Sequence, residues 1–335
     1  MKTKIVYVVV SDTSDYYLEQ TLLSMYSMRL YNPYTEILLV MDNKTDETVK
    51  GEREAIMKYI SKKIVVELPD SYSKMQKSRV LKTTLRQHVS GDYLFVDSDT
   101  IITDDLSEID NTPFDIAAVP DLHINMNQIT WVNKNIKKWS KLMNWKFSNK
   151  YYYNSGVFYV KDTPNAHEFY RSWFEIWKQS SAKGLNIDQP SLAKADGIHN
   201  YVIKKLDDIW NCQINLNGLP YLMNAKIIHY FGGGGISGKK TYPYVFFNKE
   251  TYQRIRNNGY KINNELHSKI VKAKSAFSTP CYIIGGTDVP LFSSSTYNLF
   301  LFYTPLFYII EAQNRILWSI CKLLSKFKNL IKIYL

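Results

Sequence analysis

Residues 93–102 read YLFVDSDTII. Leu94, Phe95, Val96, Ile101 and Ile102 are of the β-branched, aliphatic and aromatic types that predict a buried strand. Asp97 and Asp99 interrupt that run, and ionised carboxylates in apolar surroundings are costly unless they are paired or bind a cation. Side chains two residues apart at a strand end share one face. Two hard carboxylate oxygens aimed at one point suit Mn²⁺ or Mg²⁺, ions that also take phosphate oxygens. The same pair can cap a helix or a turn, so the motif by itself leaves both readings open.

The surrounding chain alternates strand-like runs with helical spacing. The runs IVYVVV (5–10), EILLVM (36–41) and KIVVEL (63–68) precede YLFV, with helical faces at Leu18, Leu22, Met25 and Tyr26 and at Ala55, Ile56 and Ile60. This order predicts an α/β fold with a mostly parallel central sheet flanked by helices. Ligands of such sheets bind beyond the carboxyl ends of the strands. There the chain carries SDTSD after the first strand, DNKTD after the second and DSD after the fourth, which predicts one site built from three acid-bearing loops. Further along, YYYNSGVFYV (151–160) reads as a strand and EFYRSWFEIWK (168–178) as an aromatic amphipathic helix. AKIIHYFGGGG (225–235) reads as a strand running into a glycine-rich loop.

The 335 residues, 45% of them hydrophobic, suffice for a substantial core. Cys212, Cys281 and Cys321 are odd in number and far apart, which argues against a disulfide framework or a zinc site and for a reducing compartment. A formal charge of +11 favours an anionic partner. The basic residues are spread out or gathered in the tail and no recognition module is present, so nucleic acid is not expected. MKTKIVYVVV passes directly into SDTSDYY without a cleavage pattern and reads as the first strand, not a signal peptide.

An apolar strand leading into Asp97, Ser98 and Asp99 resembles the DxD signature of GT-A glycosyltransferases. Over about residues 4–240 the further motifs resemble family 8, the retaining enzymes that include glycogenin and the lipopolysaccharide galactosyltransferases. The resemblance implies that Val9, Ser11 and Asp12 hold the nucleotide base at the end of the first strand. KSRVLKTTL (77–85) matches the basic helix before DxD, so Arg79 and Lys82 would reach the nucleotide or sugar. Asp121 in AAVPD and Asn154 and Ser155 in NSGV would take the sugar hydroxyls, with Gly156 allowing close approach. Asp188 and Gln189 in NIDQP resemble the pair beneath the anomeric carbon, and His229 the third metal ligand after Asp97 and Asp99. Gly232 and its neighbours would turn N–H groups toward a diphosphate. The family's lysine-proline-tryptophan is absent after the histidine; GISGKK follows instead, making Lys239 or Lys240 the candidate diphosphate contact.

These resemblances imply Mn²⁺ or Mg²⁺ as cofactor, a UDP-sugar donor and a glycan or lipid-linked glycan acceptor. They also imply retention, with Asp188 and Gln189 stabilising positive charge at the anomeric centre or Asp188 forming a covalent intermediate. UDP-galactose and UDP-glucose are the donors the family favours. A sugar-nucleotide pyrophosphorylase would carry a glycine-rich GxGTR-like loop where this chain has VVSDTSD. A non-catalytic membrane-associated scaffold of GT-A fold is the other alternative.

From residue 297 the chain changes character. YNLFLFYTPLFYII is short and broken by Pro305, and EAQNRILWSICKLLSKFKNLIKIYL sets Ile316, Ile320, Leu323, Leu324, Phe327, Leu330, Ile331 and Tyr334 at helical spacing among Arg315, Lys322, Lys326, Lys328 and Lys332. Such a helix resembles an interfacial anchor for an anionic bilayer; packing on the protein's own core would give the same stripe. The expected organisation is a catalytic domain over 1–265, an extension over 266–296 and a membrane-associating tail over 297–335. The expected location is cytoplasmic, peripheral on the inner face of a bacterial cell membrane.

Overall fold

The computed structural model describes residues 1–132, 134–214, 217–231 and 244–277, and helical positions 309, 312, 313, 316, 319, 320 and 323. Its strands are β1 (Lys4–Val9), β2 (Ile37–Asp42), β3 (Lys62–Val66), β4 (Tyr93–Val96), β5 (Thr100–Ile102), β6 (Ile116–Asn125), β7 (Tyr151–Val160), β8 (Ile203–Lys205), β9 (Cys212–Gln213) and β10 (Ile227–His229). The α-helices used below are α1 (Tyr17–Tyr31), α2 (Asn43–Thr48), α3 (Lys74–Thr83), α4 (Leu85–His88), α5 (Met126–Val132), α6 (Lys134–Met143), α7 (Pro164–Ala182) and α8 (Gln189–Ile198).

Seven strands form the main sheet in the order β3-β2-β1-β4-β7-β6-β8. Among them β7 alone runs antiparallel to its neighbours, so the expected mostly parallel α/β architecture is what the chain adopts. Every residue of β2 and β4 is buried, as continuous apolar runs covered on both faces require. Alternation along the strands divides the core. Ile5, Tyr7, Leu39, Met41, Leu94 and Val96 pack with Leu18, Leu22 and Met25 of α1, while Val6, Leu38, Val40 and Phe95 pack with Phe169, Tyr170 and Trp173 of α7. A capping box between Ser73 and Gln76 starts α3, and Thr163 followed by Pro164 starts α7.

A second sheet of three strands, β5-β10-β9, stands beside the first. Pairing of β5 with β10 is antiparallel and sets His229 opposite Thr100. Residues distant in sequence are thereby joined at the end of β4.

One expectation changes. The face assigned to Ala55, Ile56 and Ile60 is not α-helical: Gly51–Tyr59 form a 3₁₀ helix and Ile60 is extended. Its buried positions are Arg53 and Ile56, three apart, which suits a three-residue period. Arg53 is drawn in by buried Glu19 at 3.9 Å. The division expected after residue 265 falls inside a helix over Asn264–Val271, whose Leu266 and Ile270 join the same core as α1.

Of the tail, the described Ile309, Ile316, Ile320 and Leu323 are all exposed. No helix among the described residues is long and apolar enough to cross a membrane. Gly232, Lys239 and Lys240 lie outside the described residues.

Candidate active site

The chain leaves β4 in a turn held on several sides. Asp97 N–H donates to Gly156 O at 2.7 Å, and Tyr230 N–H donates to Asp99 O at 3.1 Å. Thr100 Oγ1 donates to Asp97 O at 2.8 Å, and Ser98 Oγ shares a 2.7 Å hydrogen bond with Thr21 Oγ1. Into this turn β10 delivers His229, whose Nε2 lies 3.2 Å from Asp99 Oδ1. One donor atom each from Asp97, Asp99 and His229 fall within 4.8 Å of one another.

Two carboxylates and an imidazole at that spacing are a donor set for Mn²⁺ or Mg²⁺. The site also leaves no room for a larger neighbour at Gly156. A Cβ there would stand 2.4 Å from His229 Cε1 and 2.7 Å from Asp97 Oδ2. Residue 156 must therefore lack a side chain for the three donors to converge as they do. His229 is 2% exposed, and Nδ1 meets Asn211 Oδ1 at 3.0 Å. Burial disfavours the imidazolium, but the charge and hydrogen bond of Asp99 outweigh it, so the His229 pKa is raised. Burial raises that of Asp97 against the opposing charge of Lys82, whose Nζ stands 3.3 Å from Oδ1.

Arg79 and Lys82, on one face of α3, meet Asp188 at the start of α8. Arg79 Nε lies 2.8 Å from Asp188 Oδ1 and Lys82 Nζ 3.5 Å from Oδ2, and Ser155 Oγ donates to Oδ2 at 2.8 Å. Burial works to raise the Asp188 pKa, but the two cations prevail and hold it well below the usual carboxylate range. Asp121 follows the opposite course: burial raises its pKa against hydrogen bonds from Asn154 and Gln189. Asn154 Nδ2 donates to Asp121 Oδ1 at 2.9 Å.

A cavity of about 250 Å³ opens beside these groups. Val8, Val9, Val10, Tyr17 and Met75 give it apolar walls, and Lys74, Ser78, Arg79 and the Asp97–Ser98–Asp99 turn give it polar ones. Tyr17 is 44% exposed, so its ring has an open face.

Of the residues expected from sequence, Val9, Arg79, Asp97, Ser98 and Asp99 line this cavity. Lys82, Ser155, Asp188 and His229 adjoin it through the contacts just given; Asn154 is tied to His229 through Asn211, and Asp121 and Gln189 follow through the Asp121 carboxylate, which both Asn154 and Gln189 hydrogen-bond. Ser11 and Asp12 are not among the lining residues. Ser11 N–H donates to Thr45 Oγ1 at 2.9 Å and its hydroxyl donates to Asp15, while Asp12 pairs with Lys74 at 2.5 Å. They hold the loop after β1, and Lys74 is the member that reaches the cavity. The loop after β2 contributes nothing to the lining: Asp42 caps α2 through Thr45 and pairs with Lys77 at 3.0 Å, buried. Of the three acid-bearing loops expected to form the site, only the Asp97–Ser98–Asp99 turn lines the cavity, because the acids of the other two are taken up by Lys74, Ser11, Thr45 and Lys77.

Sequence reasoning passed over Tyr17, Gln20, Lys74, Met75, Ser78 and Asn211. Lys74 and Ser78 share the α3 face of Arg79 and Lys82, a signal available one turn upstream of KSRVLKTTL. Asn211 sits in no motif.

No protein-family model matches the chain, and no curated protein sequence matches it. Among solved structures it is similar to mouse xyloside xylosyltransferase 1 in its apo form, at 12% identity over 69% of this chain and 98% of that one, with a TM-score of 0.47. It is also similar to the galactosyltransferase LgtC in complex with donor and acceptor sugar analogues, at 15% identity over 80% of this chain and 100% of that one, TM-score 0.49. A third is the glycosyltransferase GlyE of Streptococcus pneumoniae, at 14% identity over 83% of this chain and 66% of that one, TM-score 0.46. All three of these similar structures are of glycosyltransferases.

Proposed function

We propose that the protein is a metal-dependent, retaining glycosyltransferase of GT-A fold that moves a hexose from a UDP-sugar, with UDP-galactose or UDP-glucose favoured, to a glycan acceptor. The acceptor belongs to bacterial cell-surface polysaccharide or lipopolysaccharide synthesis. The observation that carries this reading is the convergence of Asp97, Asp99 and His229 within 4.8 Å beside a cavity lined by Val8, Val9, Val10, Tyr17 and Met75 together with the cations Lys74 and Arg79.

Each part of a nucleotide sugar has a counterpart. Val8, Val9, Met75 and the partly exposed Tyr17 suit a flat base and ribose, with Lys74 and Arg79 in the same lining for a diphosphate. A divalent cation held by Asp97, Asp99 and His229 supplies Lewis acidity and charge neutralisation for a diphosphate leaving group. Asp188 stays ionised between Arg79 and Lys82, ready to stabilise positive charge in an oxocarbenium-like transition state. Asp121, Asn154 and Gln189 form one hydrogen-bonded group suited to sugar hydroxyls. Retention rests on the family resemblance, and an inverted linkage in the product's NMR spectrum would contradict it.

The exposed Ile309, Ile316, Ile320 and Leu323 support docking of the tail on an anionic membrane surface, which would set the enzyme peripherally on the inner face of the cell membrane. UDP release from a panel of UDP-sugars with Mn²⁺ tests the activity. Turnover with at least one hexose donor is expected, and no turnover together with no UDP binding would favour a non-catalytic scaffold.

A further inference from the structure

We infer that Asn211 is a positioning residue for the cation site: it fixes the ring orientation and tautomer of His229 through a polar chain whose direction is set by the backbone of β7. The inference rests on the reading of Asp97, Asp99 and His229 as cation ligands.

The direction of the chain follows from a group that can only donate. Gly156 N–H lies 2.9 Å from the amide atom of Asn154 facing it, which must therefore be Oδ1. Asn154 Nδ2 then faces Asp121 Oδ1 at 2.9 Å, an acceptor. Asn154 Oδ1 receives a second contact from Asn211 at 3.0 Å, so the atom Asn211 presents is Nδ2. The remaining atom of that amide is Oδ1, 3.0 Å from His229 Nδ1. His229 must carry a hydrogen on Nδ1 to make this bond. Its Nε2, which donates to Asp99 Oδ1 at 3.2 Å when no cation is bound, is thereby the atom whose lone pair would ligate once a cation displaces that hydrogen.

Asn211 is fully buried and ends the short 3₁₀ turn Asp208–Asn211, from which the chain enters β9 beside β10. Its side chain touches the ligand His229 on one side and, on the other, Asn154, the residue that holds Asp121. A leucine of similar volume would fill the space and make neither hydrogen bond. An aspartate would keep an acceptor for Nδ1–H while losing the donor to Asn154.

The test compares wild type, Asn211→Leu, Asn211→Asp and Asp99→Ala by Mn²⁺ titration monitored through the EPR signal of free Mn²⁺. In parallel, ¹⁵N-histidine NMR of the cation-free proteins, at a pH where the ring is neutral, reads the His229 tautomer. Asn211→Leu should weaken Mn²⁺ binding by about 10- to 100-fold, the usual effect of removing a ligand's outer partner, and should shift the tautomer toward the Nε2-protonated form. Asn211→Asp should hold both near wild type. Wild-type affinity or an unchanged tautomer in Asn211→Leu overturns the inference, as does equal weakening in Asn211→Asp, which also decides the matter should the leucine variant fail to fold. If wild type binds Mn²⁺ no better than Asp99→Ala, the cation reading itself fails and this inference falls with it.

Discussion

Replacing Gly156 by alanine adds one methyl group to the middle of β7 and aims it at the candidate cation site. The new Cβ would stand 2.4 Å from His229 Cε1, 2.7 Å from Asp97 Oδ2 and 3.0 Å from Asn154 Oδ1, where ordinary contact begins near 3.4 Å. The imidazole must therefore move by about 1 Å and the Asp97 carboxylate by a large fraction of that. Cation sites tolerate errors of only about 0.2 Å in ligand distances. Stability should respond much less. Crowding costs about 1–3 kcal/mol, and the lost flexibility of a strand glycine returns about 0.5–1 kcal/mol. The expected result is a folded protein with a modestly lowered melting temperature and Mn²⁺ affinity reduced by about 100-fold or more, a larger loss than removal of an outer partner produces. Calorimetric Mn²⁺ titration alongside thermal unfolding measures both. A folded Gly156→Ala protein with wild-type Mn²⁺ affinity would refute the assignment of this space to a cation.

Asp188→Asn leaves Arg79 without its buried counter-ion and Lys82 with Asp97 alone, and should destabilise the protein by about 1–3 kcal/mol, measured by urea unfolding, while greatly slowing turnover. The folded-state pKa of Asp188 is depressed, so its contribution is present above the unfolded carboxylate value of about 3.9 and is lost as pH falls below it. The gap in stability between wild type and Asp188→Asn should accordingly narrow on acidification through that range, and a constant gap would contradict the ion-pair account. Deletion of residues 297–335 should abolish sedimentation with anionic vesicles and leave UDP release intact; undiminished sedimentation would place membrane affinity elsewhere.

Where local pattern and burial agree, the sequence was easy to read. Apolar runs bounded by acids located β1, β2 and β4, because strands covered on both faces read as continuous apolar runs, and an aromatic stripe located α7, because a helix buries one face in a fixed period. Asp97 and Asp99 could be paired because they leave a strand end two residues apart, and His229 joined them through the family resemblance. The failures have a common physical origin in long-range pairing. Asp42 looked like a site residue until Lys77 and Thr45 took up its carboxylate, and the 3₁₀ helix found where an α-helix was expected buries Arg53 3.9 Å from Glu19 across the fold. Asn211 was invisible because its meaning lies in partners 57 and 18 residues away. Lys74 and Tyr17 were missed because a cavity wall is defined by which helix ends meet, which no local period records.

The central claim is that Asp97, Asp99 and His229 make sugar-nucleotide binding depend on a cation. Calorimetric titration of UDP into wild-type protein and Asp99→Ala, each with and without Mn²⁺, tests it most directly. Mn²⁺ should tighten UDP binding to wild type by about 5- to 150-fold, the usual span of coupling between sites. It should do nothing for Asp99→Ala of equal thermal stability. UDP affinity that is the same with and without Mn²⁺ in the wild type, or a Mn²⁺ effect that survives in Asp99→Ala, would contradict the account.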